Sequence, residues 1–269
     1  MYSSAQAKEA GFSVSPLAVT IAGETSRELD EMDALRFVGI IRQGNMPMRS
    51  QPALGDVVAL FQSLEGEEIL NIAMADGLSG TYSSAVAAAN MCEDEADVVV
   101  LNSKTLCGPH RCMVETAVKL AQQGLSRAQI VEKMEKMMTH MKSFLMPADF
   151  DYLRRGGRLS PLVSFVGKTI KLAPVLTQSE DGRQMVMSAI KRSFKQAVSH
   201  VCDKLEVLGV GENWHLYVTH ADALDMAENA VRMLKERFPG AKYEVHLLTP
   251  AFITQGGPGC VAIQAIRAL

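Results

Sequence analysis

Apolar and polar positions alternate along the first half of the chain in a way that predicts strands followed by helices. Continuous apolar runs of strand length occur at residues 69–75 and 97–101, and runs this short are typical of buried strands. Helical patterns occupy residues 37–41, 56–64 and 113–123, the first of them after the acidic stretch 28–32. Repeated β-α units of this kind predict a mainly parallel sheet.

An apolar stripe marks one further helix. Ser126 and Gln129 have the spacing of a capping box at a helix start. The apolar residues that follow at helical spacing are Ile130, Met134, Met137, Met138 and Met141. Such a stripe is more typical of a helix packed on a core than of one that lines a ligand tunnel.

The second half of the chain has a different pattern. Apolar runs at 171–177 and 184–190 flank the step Asp181-Gly182, which favours a β-hairpin. Helices are predicted at 194–208 and 224–238, and strands at 214–219 and 243–248. We therefore expect an α/β fold of two α/β domains, 1–145 with a mainly parallel sheet and 146–269 with a mixed or antiparallel sheet.

Composition narrows the functional classes. Of the 269 residues, 48% are apolar and 21% are charged, and the formal net charge is −3, so a sizeable core can form and no basic footprint for nucleic acid exists. The chain has no apolar run of about eighteen residues, the length of a membrane span, and its first residues lack the regions of a signal peptide. Five cysteines fit reduced thiols. We expect a cytoplasmic protein with no transmembrane segment and no nucleic acid partner.

The turn after the apolar run 69–75 is the first candidate for ligand binding. Ser79, Gly80 and Thr81 stand there, before an alanine-rich helical stretch. A strand-to-helix turn offers backbone N–H groups and a helix N-terminus to an anion such as a carboxylate or phosphate. The alternative is an ordinary helix cap, in which the hydroxyl groups satisfy only helix N–H groups.

Three further stretches carry groups that suit anions. Arg154, Arg155 and Arg158 surround a Gly-Gly step, Lys191 and Arg192 close the second hairpin strand, and residues 255–259 read Gln-Gly-Gly-Pro-Gly. Arginines on a loop suit a carboxylate, a phosphate or an acidic partner. A solvated helix end, a solvated strand end and a tight turn are the respective alternatives.

Metal and hydrolase chemistry have weaker support. Cys107, His110 and Cys112 fall within six residues, but a zinc site needs four ligands and the chain offers no second pair at a suitable spacing. The Gly-x-Ser-x-Gly elbow of many hydrolases is absent from the sequence. We therefore predict no metal, no cofactor and no catalytic residue.

Taken in order, these stretches resemble the DegV family of bacterial fatty-acid-binding proteins. The matching motifs are Pro16-Leu17, Ser50-Gln51-Pro52, Leu78-Ser79-Gly80-Thr81-Tyr82 with Ser84-Ala85, Asn102-Ser103-Lys104, Tyr152-Leu153 with Gly156-Gly157-Arg158, Pro174-Val175-Leu176, Lys191-Arg192 and Gly257-Pro258-Gly259. Each motif is weak alone, but eight in the same order over about residues 4 to 264 are specific.

The resemblance implies a carrier. Such a protein holds one long-chain fatty acid between two α/β domains, with the carboxylate near the domain interface and the acyl chain in a buried tunnel. Some members present the acyl group to a separate fatty acid kinase, which makes acyl phosphate from ATP, and such a carrier carries out no chemistry itself. Ser79 would donate to the carboxylate, and Arg192 and Arg158 would lie near the head group or on the kinase-facing surface.

Three positions depart from the family pattern. Arg49 replaces the usual threonine before Ser50, and Gln255 and Gly256 replace a histidine and a threonine before Gly257. Arg49 could pair with the carboxylate, block the site or point to solvent. Met1 falls beyond the family's first strand, so we expect that the true start lies upstream rather than that a strand is missing.

Two classes of function remain open from the sequence. The first is fatty acid binding, for which the predicted ligand-binding residues are Ser79, Gly80, Thr81, Arg49, Ser50, Gln255, Gly256, Arg192 and Arg158. The second is an α/β enzyme that acts on a small carboxylated or phosphorylated metabolite. A divergent paralogue with an altered ligand is a further alternative.

Overall fold

The structure is a computed structural model that describes residues 1–92, 94–157 and 172–269. Its helices are α1 Ser4–Glu9, α2 Ala34–Arg42, α3 Leu54–Gln62, α4 Thr81–Met91, α5 Cys107–Gln122, α6 Arg127–Met138, α7 Phe150–Gly156, α8 Phe194–Val207, α9 Leu224–Arg237 and α10 Pro250–Gly256. Its strands are β1 Ala18–Ile21, β2 Glu24–Arg27, β3 Met48–Ser50, β4 Glu68–Ala73, β5 Asp97–Asn102, β6 Met141–Met146, β7 Ala173–Gln178, β8 Met185–Lys191, β9 Trp214–His220, β10 Lys242–Leu247 and β11 Val261–Arg267.

Two small sheets form in the N-terminal half. Strands β2, β1 and β3 make an antiparallel sheet in that order, and β4 pairs with β5 in parallel. The apolar runs predicted as buried strands form β4 and β5, but most residues of the two strands are only half-buried. Because β4 leads through a short turn into α4, the Ser79 turn lies at the carboxyl end of this parallel pair, where α/β sheets present ligands.

One mixed sheet of six strands organises the C-terminal half. Its order is β10-β9-β11-β6-β7-β8; β10 and β9 are parallel and the other neighbours are antiparallel. The predicted α/β class with parallel and antiparallel sheets is confirmed. Strand β6 pairs with strands from the second half of the chain, and the domain boundary near residue 145 stays a prediction.

Both faces of the six-stranded sheet are covered by helices. Helices α8 and α9 pack on one face around Val201, Leu216 and Leu234. On the other face, Met134 and Met137 of α6 join Tyr217 and Ile266 in a buried cluster. Ile130, Met134 and Met137 of the predicted stripe therefore pack in the core, as their helical spacing predicts. Met141 does not belong to the helix, because α6 ends at Met138 and Met141 begins β6.

The capping box and the hairpin are both present. The Ser126 side chain accepts the Gln129 N–H, and the Gln129 side chain accepts the Ser126 N–H in return. Strands β7 and β8 form the predicted antiparallel pair. Their connection includes Gly182 with φ +73°, a conformation that favours glycine.

Several elements differ from the sequence-based expectation, and those near the site are α5, α10 and β11. Helix α5 begins at Cys107, earlier than the predicted helical pattern at 113–123. Helix α10 and strand β11 were not predicted, since the glycines and proline of residues 255–259 indicated only a tight turn. In the structure β11 lies between β9 and β6, which explains its nearly continuous apolar sequence.

Among the described residues, we find no helix that combines the length and the apolar character needed to cross a membrane.

Candidate functional site

A cavity of about 90 Å³ lies where elements of the two halves meet. Most side chains in its wall are apolar, and a few polar ones join them. The wall consists of Arg49, Met74, Leu78, Ser79, Leu106, Cys107, Ser143, Phe144, Leu145, Leu153, Gln178, Met185, Leu248, Phe252, Gln255, Gly256, Ala262 and Gln264. A mostly apolar recess with a few convergent polar groups is the usual form of a small-molecule site.

Ser79 reaches this cavity from the turn between β4 and α4. Its backbone N–H donates to the Ala75 carbonyl at 3.0 Å, which fixes the turn, and the residue is 7% exposed. Its Oγ accepts the Thr81 N–H over a long distance of 3.4 Å. Among the described residues, no acceptor for the Ser79 hydroxyl hydrogen is found, so this group can donate to a ligand oxygen.

Arg49 reaches the same cavity from β3. Its Nη2 donates to the Leu78 carbonyl at 2.9 Å, directly before Ser79 in the chain. In the strand register Arg49 lies opposite Val19, which is fully buried. Arg49 and Ser79 therefore line the same mostly apolar cavity, where a cation interacts strongly with an anion.

Helix α10 supplies Gln255 and Gly256. Both line the cavity, and a Cβ at Gly256 would overlap the Cys260 sulfur. The glycine is therefore required by the close approach of α10 to the start of β11. We call Arg49, Ser79 and Gln255 the polar site, since these three side chains bring hydrogen-bond donors to the cavity from separate elements.

The other predicted site residues lie elsewhere. A Cβ at Gly80 would overlap the Gln51 amide oxygen, so its lack of a side chain serves packing. Thr81 begins α4 and lines a neighbouring groove. The side chains of Ser50 and Arg192 are exposed, and neither lines the cavity. Arg158 falls outside the described residues.

The neighbouring groove, which we call the β4 groove, has a volume of about 650 Å³. It runs beside β4, and its walls include Leu60, Ile72, Thr81, His110 and Ala121. His110 Nε2 lies 2.8 Å from the Ile72 carbonyl. Burial lowers the pKa of His110 to about 4, so the ring is neutral at pH 7 and donates from Nε2 to that carbonyl.

Three polar residues of the cavity wall were not among the predicted site residues: Ser143, Gln178 and Gln264. Gln264 is 1% exposed; its Oε1 accepts the Gly108 N–H at 3.1 Å, and its Nε2 donates to the Ser143 hydroxyl at 3.0 Å. The network ties β11 to β6 and to the start of α5. A single glutamine within the apolar run of residues 261–266 was the available signal, because buried amides need partners.

The thiols near the cavity are poor nucleophiles. Burial raises the pKa of Cys107, which lines the cavity, and raises the pKa of Cys260 to about 12. Both groups are therefore neutral thiols at pH 7, whereas the thiolate is the reactive form. Within the described part of the chain, no three His, Cys, Asp or Glu side chains are grouped to hold a metal ion. The arrangement suits the binding of an anionic head group with an apolar tail.

Known proteins share this sequence and this fold. The family model described as "Uncharacterised protein, DegV family" matches residues 2–268. Protein DegV of Bacillus subtilis is 30% identical over 253 residues, which cover 92% of this chain and 89% of the relative.

Solved structures agree with the sequence match. The crystal structure of DegV from Bacillus subtilis, described as a fatty acid binding protein, has a TM-score of 0.83 at 26% identity and covers 97% of this chain and 93% of that chain. A DegV family protein of Thermus thermophilus, described by its fatty acid binding, has the same fold, with a TM-score of 0.88 at 23% identity and coverage of 99% and 95%. The chain belongs to the DegV family.

Proposed function

We propose that this protein binds a long-chain fatty acid, with the carboxylate at the polar site and the acyl chain along the apolar wall of the cavity. The observation that carries the proposal is the meeting of Arg49, Ser79 and Gln255 at one mostly apolar cavity. The description of the Bacillus subtilis relative as a fatty acid binding protein supports it.

The acyl chain supplies most of the expected affinity. Each methylene removed from water contributes about 0.8 kcal/mol, so the apolar wall outweighs the head group for a long chain. Met74 and Met185 stand in this wall, and their flexible thioethers can adapt to a mobile chain.

The head group supplies orientation and a preference for anions. A guanidinium stays charged throughout the physiological pH range, whereas the histidine expected from the family resemblance at position 255 would titrate near neutral pH. With Arg49 and Gln255 in these places, retention of the carboxylate should not change between pH 6 and pH 9.

We further propose that the protein is a non-catalytic carrier which presents the bound acyl group to a separate fatty acid kinase. The neutral thiols beside the cavity support a binding role, and the family resemblance supports the partner. Arg192, whose side chain is exposed, and Arg158 are candidates for the partner-facing surface. A purified fatty acid kinase should form acyl phosphate only when the loaded protein and ATP are both present.

Native mass spectrometry of the freshly purified protein tests the binding proposal. We expect a one-to-one complex that releases a long-chain fatty acid on denaturation, or that forms when palmitic acid is added. A protein that is empty and that also fails to take up palmitic acid would contradict the proposal.

A further inference from the structure

A buried carboxylate from the N-terminal half caps the helix that carries Gln255. Glu28 follows β2 and is 7% exposed, and its Oε2 accepts the Ala251 N–H at 3.0 Å. The two residues are 223 positions apart in the chain. The contact therefore ties the small N-terminal sheet to α10, one of the elements that form the polar site.

The first turn of α10 depends on this carboxylate. Thr249 occupies the N-cap position, but its side chain makes no capping hydrogen bond, and Pro250 has no N–H to donate. The two N–H groups after Ala251 both donate to the Thr249 carbonyl at 3.0 Å. Ala251 is thus the donor of this turn that needs a partner from outside the helix, and Glu28 provides it.

The other end of α10 is held just as closely. Gly257 ends the helix with φ +73°, and a Cβ there would overlap the Tyr152 ring of α7. Gln255 lies four residues after Ala251, and residues at this spacing share one face of a helix. Because α10 has only seven residues, a shift of its first turn moves Gln255 relative to Arg49 and Ser79.

We propose that Glu28 is a positioning residue for the polar site: by capping α10 it holds the Gln255 amide where the ligand carboxylate is bound. This inference rests on the proposed function. It assigns to Glu28 a role in head-group recognition, not only in stability.

The test compares palmitic acid with its methyl ester, which has the same tail and no charge. The wild type should prefer the acid. Glu28→Ala should reduce that preference about fivefold, since a lost helix cap is equivalent to about that factor. Glu28→Gln should stay within about twofold of the wild type, because its amide oxygen accepts the same N–H.

A double-mutant cycle separates positioning from general stability. In a Gln255→Ala background, Glu28→Ala should cause no further loss of preference, because both variants remove one interaction. Ser126→Ala removes the side-chain cap of α6, away from the cavity, and should lower stability without changing the preference. If Glu28→Ala does not fold, Glu28→Asp replaces it in the test. The shorter side chain withdraws the acceptor by one methylene, and we expect a smaller loss of acid preference.

Three results would overturn the inference. An unchanged acid preference in Glu28→Ala, alongside a reduced one in Gln255→Ala, would leave fatty acid binding intact and make Glu28 purely structural. Losses of acid preference that add up in the double variant would likewise make Glu28 purely structural. A wild type that binds neither palmitic acid nor its ester would instead contradict the proposed function, and the inference would fail with it.

Discussion

The cavity and the β4 groove are two recesses side by side, and the smaller one has the features of a ligand site. The groove is about seven times larger, at about 650 Å³ against about 90 Å³. In the cavity, Arg49 and Gln255 join a hydroxyl group in a mostly apolar wall. In the groove, the imidazole of His110 is already bonded to the backbone of β4.

The difference shows that volume alone does not identify a site. A carboxylate needs donors that converge and that are not all engaged within the protein. At the cavity, donors from β3, from the turn after β4 and from α10 converge, although these elements are distant in sequence. At the groove, the Thr81 hydroxyl is buried and has no hydrogen-bond partner among the described residues. The arginines in the groove wall, Arg111 and Arg127, are paired with Glu115 and Asp97.

Replacing an alanine by phenylalanine in the wall of each recess should give the largest difference in palmitic acid binding between the cavity and the groove. Ala262 lines the cavity and Ala121 lines the groove. Ala262→Phe should weaken palmitic acid binding at least about a thousandfold, because excluding about five methylenes removes about 4 kcal/mol. Ala121→Phe should change Kd less than about twofold. Calorimetric titration of both variants measures this, and equal losses would break the distinction.

Low pH should lower the free energy of unfolding through His110, which lies in the wall of the groove. Its pKa is lowered to about 4 by burial, against an ordinary value near 6.5. The imidazole therefore binds a proton more readily in the unfolded chain than in the folded protein. The stabilisation by the neutral, buried ring is fully present above pH 6.5 and is lost as the pH falls towards 4. We expect a loss of about 3 kcal/mol in unfolding free energy over that window.

Denaturant titrations of the wild type and of His110→Gln across pH 4 to 7 measure this contribution. Glutamine keeps a donor for the Ile72 carbonyl but does not titrate. The variant should therefore show a smaller loss of stability in acid. Identical pH profiles for the two proteins would rule out His110 as the source.

Removing the positive charge of Arg49 should weaken binding of the fatty acid carboxylate and leave binding of the acyl tail unchanged. Arg49→Met should weaken palmitic acid binding about thirtyfold, since a charge-assisted hydrogen bond contributes about 2 kcal/mol. Binding of the methyl ester should change little. Arg36→Met, at an exposed position of α2, is the matched control for loss of one positive charge. Tighter palmitic acid binding in Arg49→Met would mean that Arg49 closes the site.

The smallest expected change in palmitic acid binding comes from the hydroxyl groups of Ser79 and Thr81, which lie close together in the chain. Ser79→Ala should weaken palmitic acid binding about fivefold, the usual contribution of one neutral hydrogen bond. Thr81→Val should leave binding unchanged and raise stability slightly, because it removes a buried hydroxyl with no partner. Fluorescence displacement assays with thermal melts compare the two. A larger binding loss in Thr81→Val would move the head group to the groove.

Local features of this fold could be predicted from the sequence. The capping box at Ser126, the hairpin around Gly182 and the strand conformation of β4 and β5 depend on neighbouring residues. Helix α10 could not be predicted from the sequence because it is short and lies between Pro250 and Gly257, where turn signals dominate. The sequence places Arg49 in the candidate set through the family resemblance alone, whereas Gln255 also belongs to the glycine-rich stretch 255–259.

Contacts between distant segments could not be predicted. The approach of Gln51 to Gly80 and the bond from Ala251 to Glu28 join residues far apart in the chain. A single sequence has no periodicity that relates such pairs. The same holds for Ser143 and Gln264, which meet only because β6 and β11 pair in the six-stranded sheet.

Carbon-13 NMR of palmitic acid labelled at the carboxyl carbon tests the central claim most directly. We predict one bound resonance in the wild type whose position does not titrate between pH 5 and pH 9, because the Arg49 guanidinium keeps the carboxylate ionised. The resonance should begin to titrate in Arg49→Met and should be absent in Ala262→Phe. A bound resonance that is the same in the wild type and both variants would contradict the account.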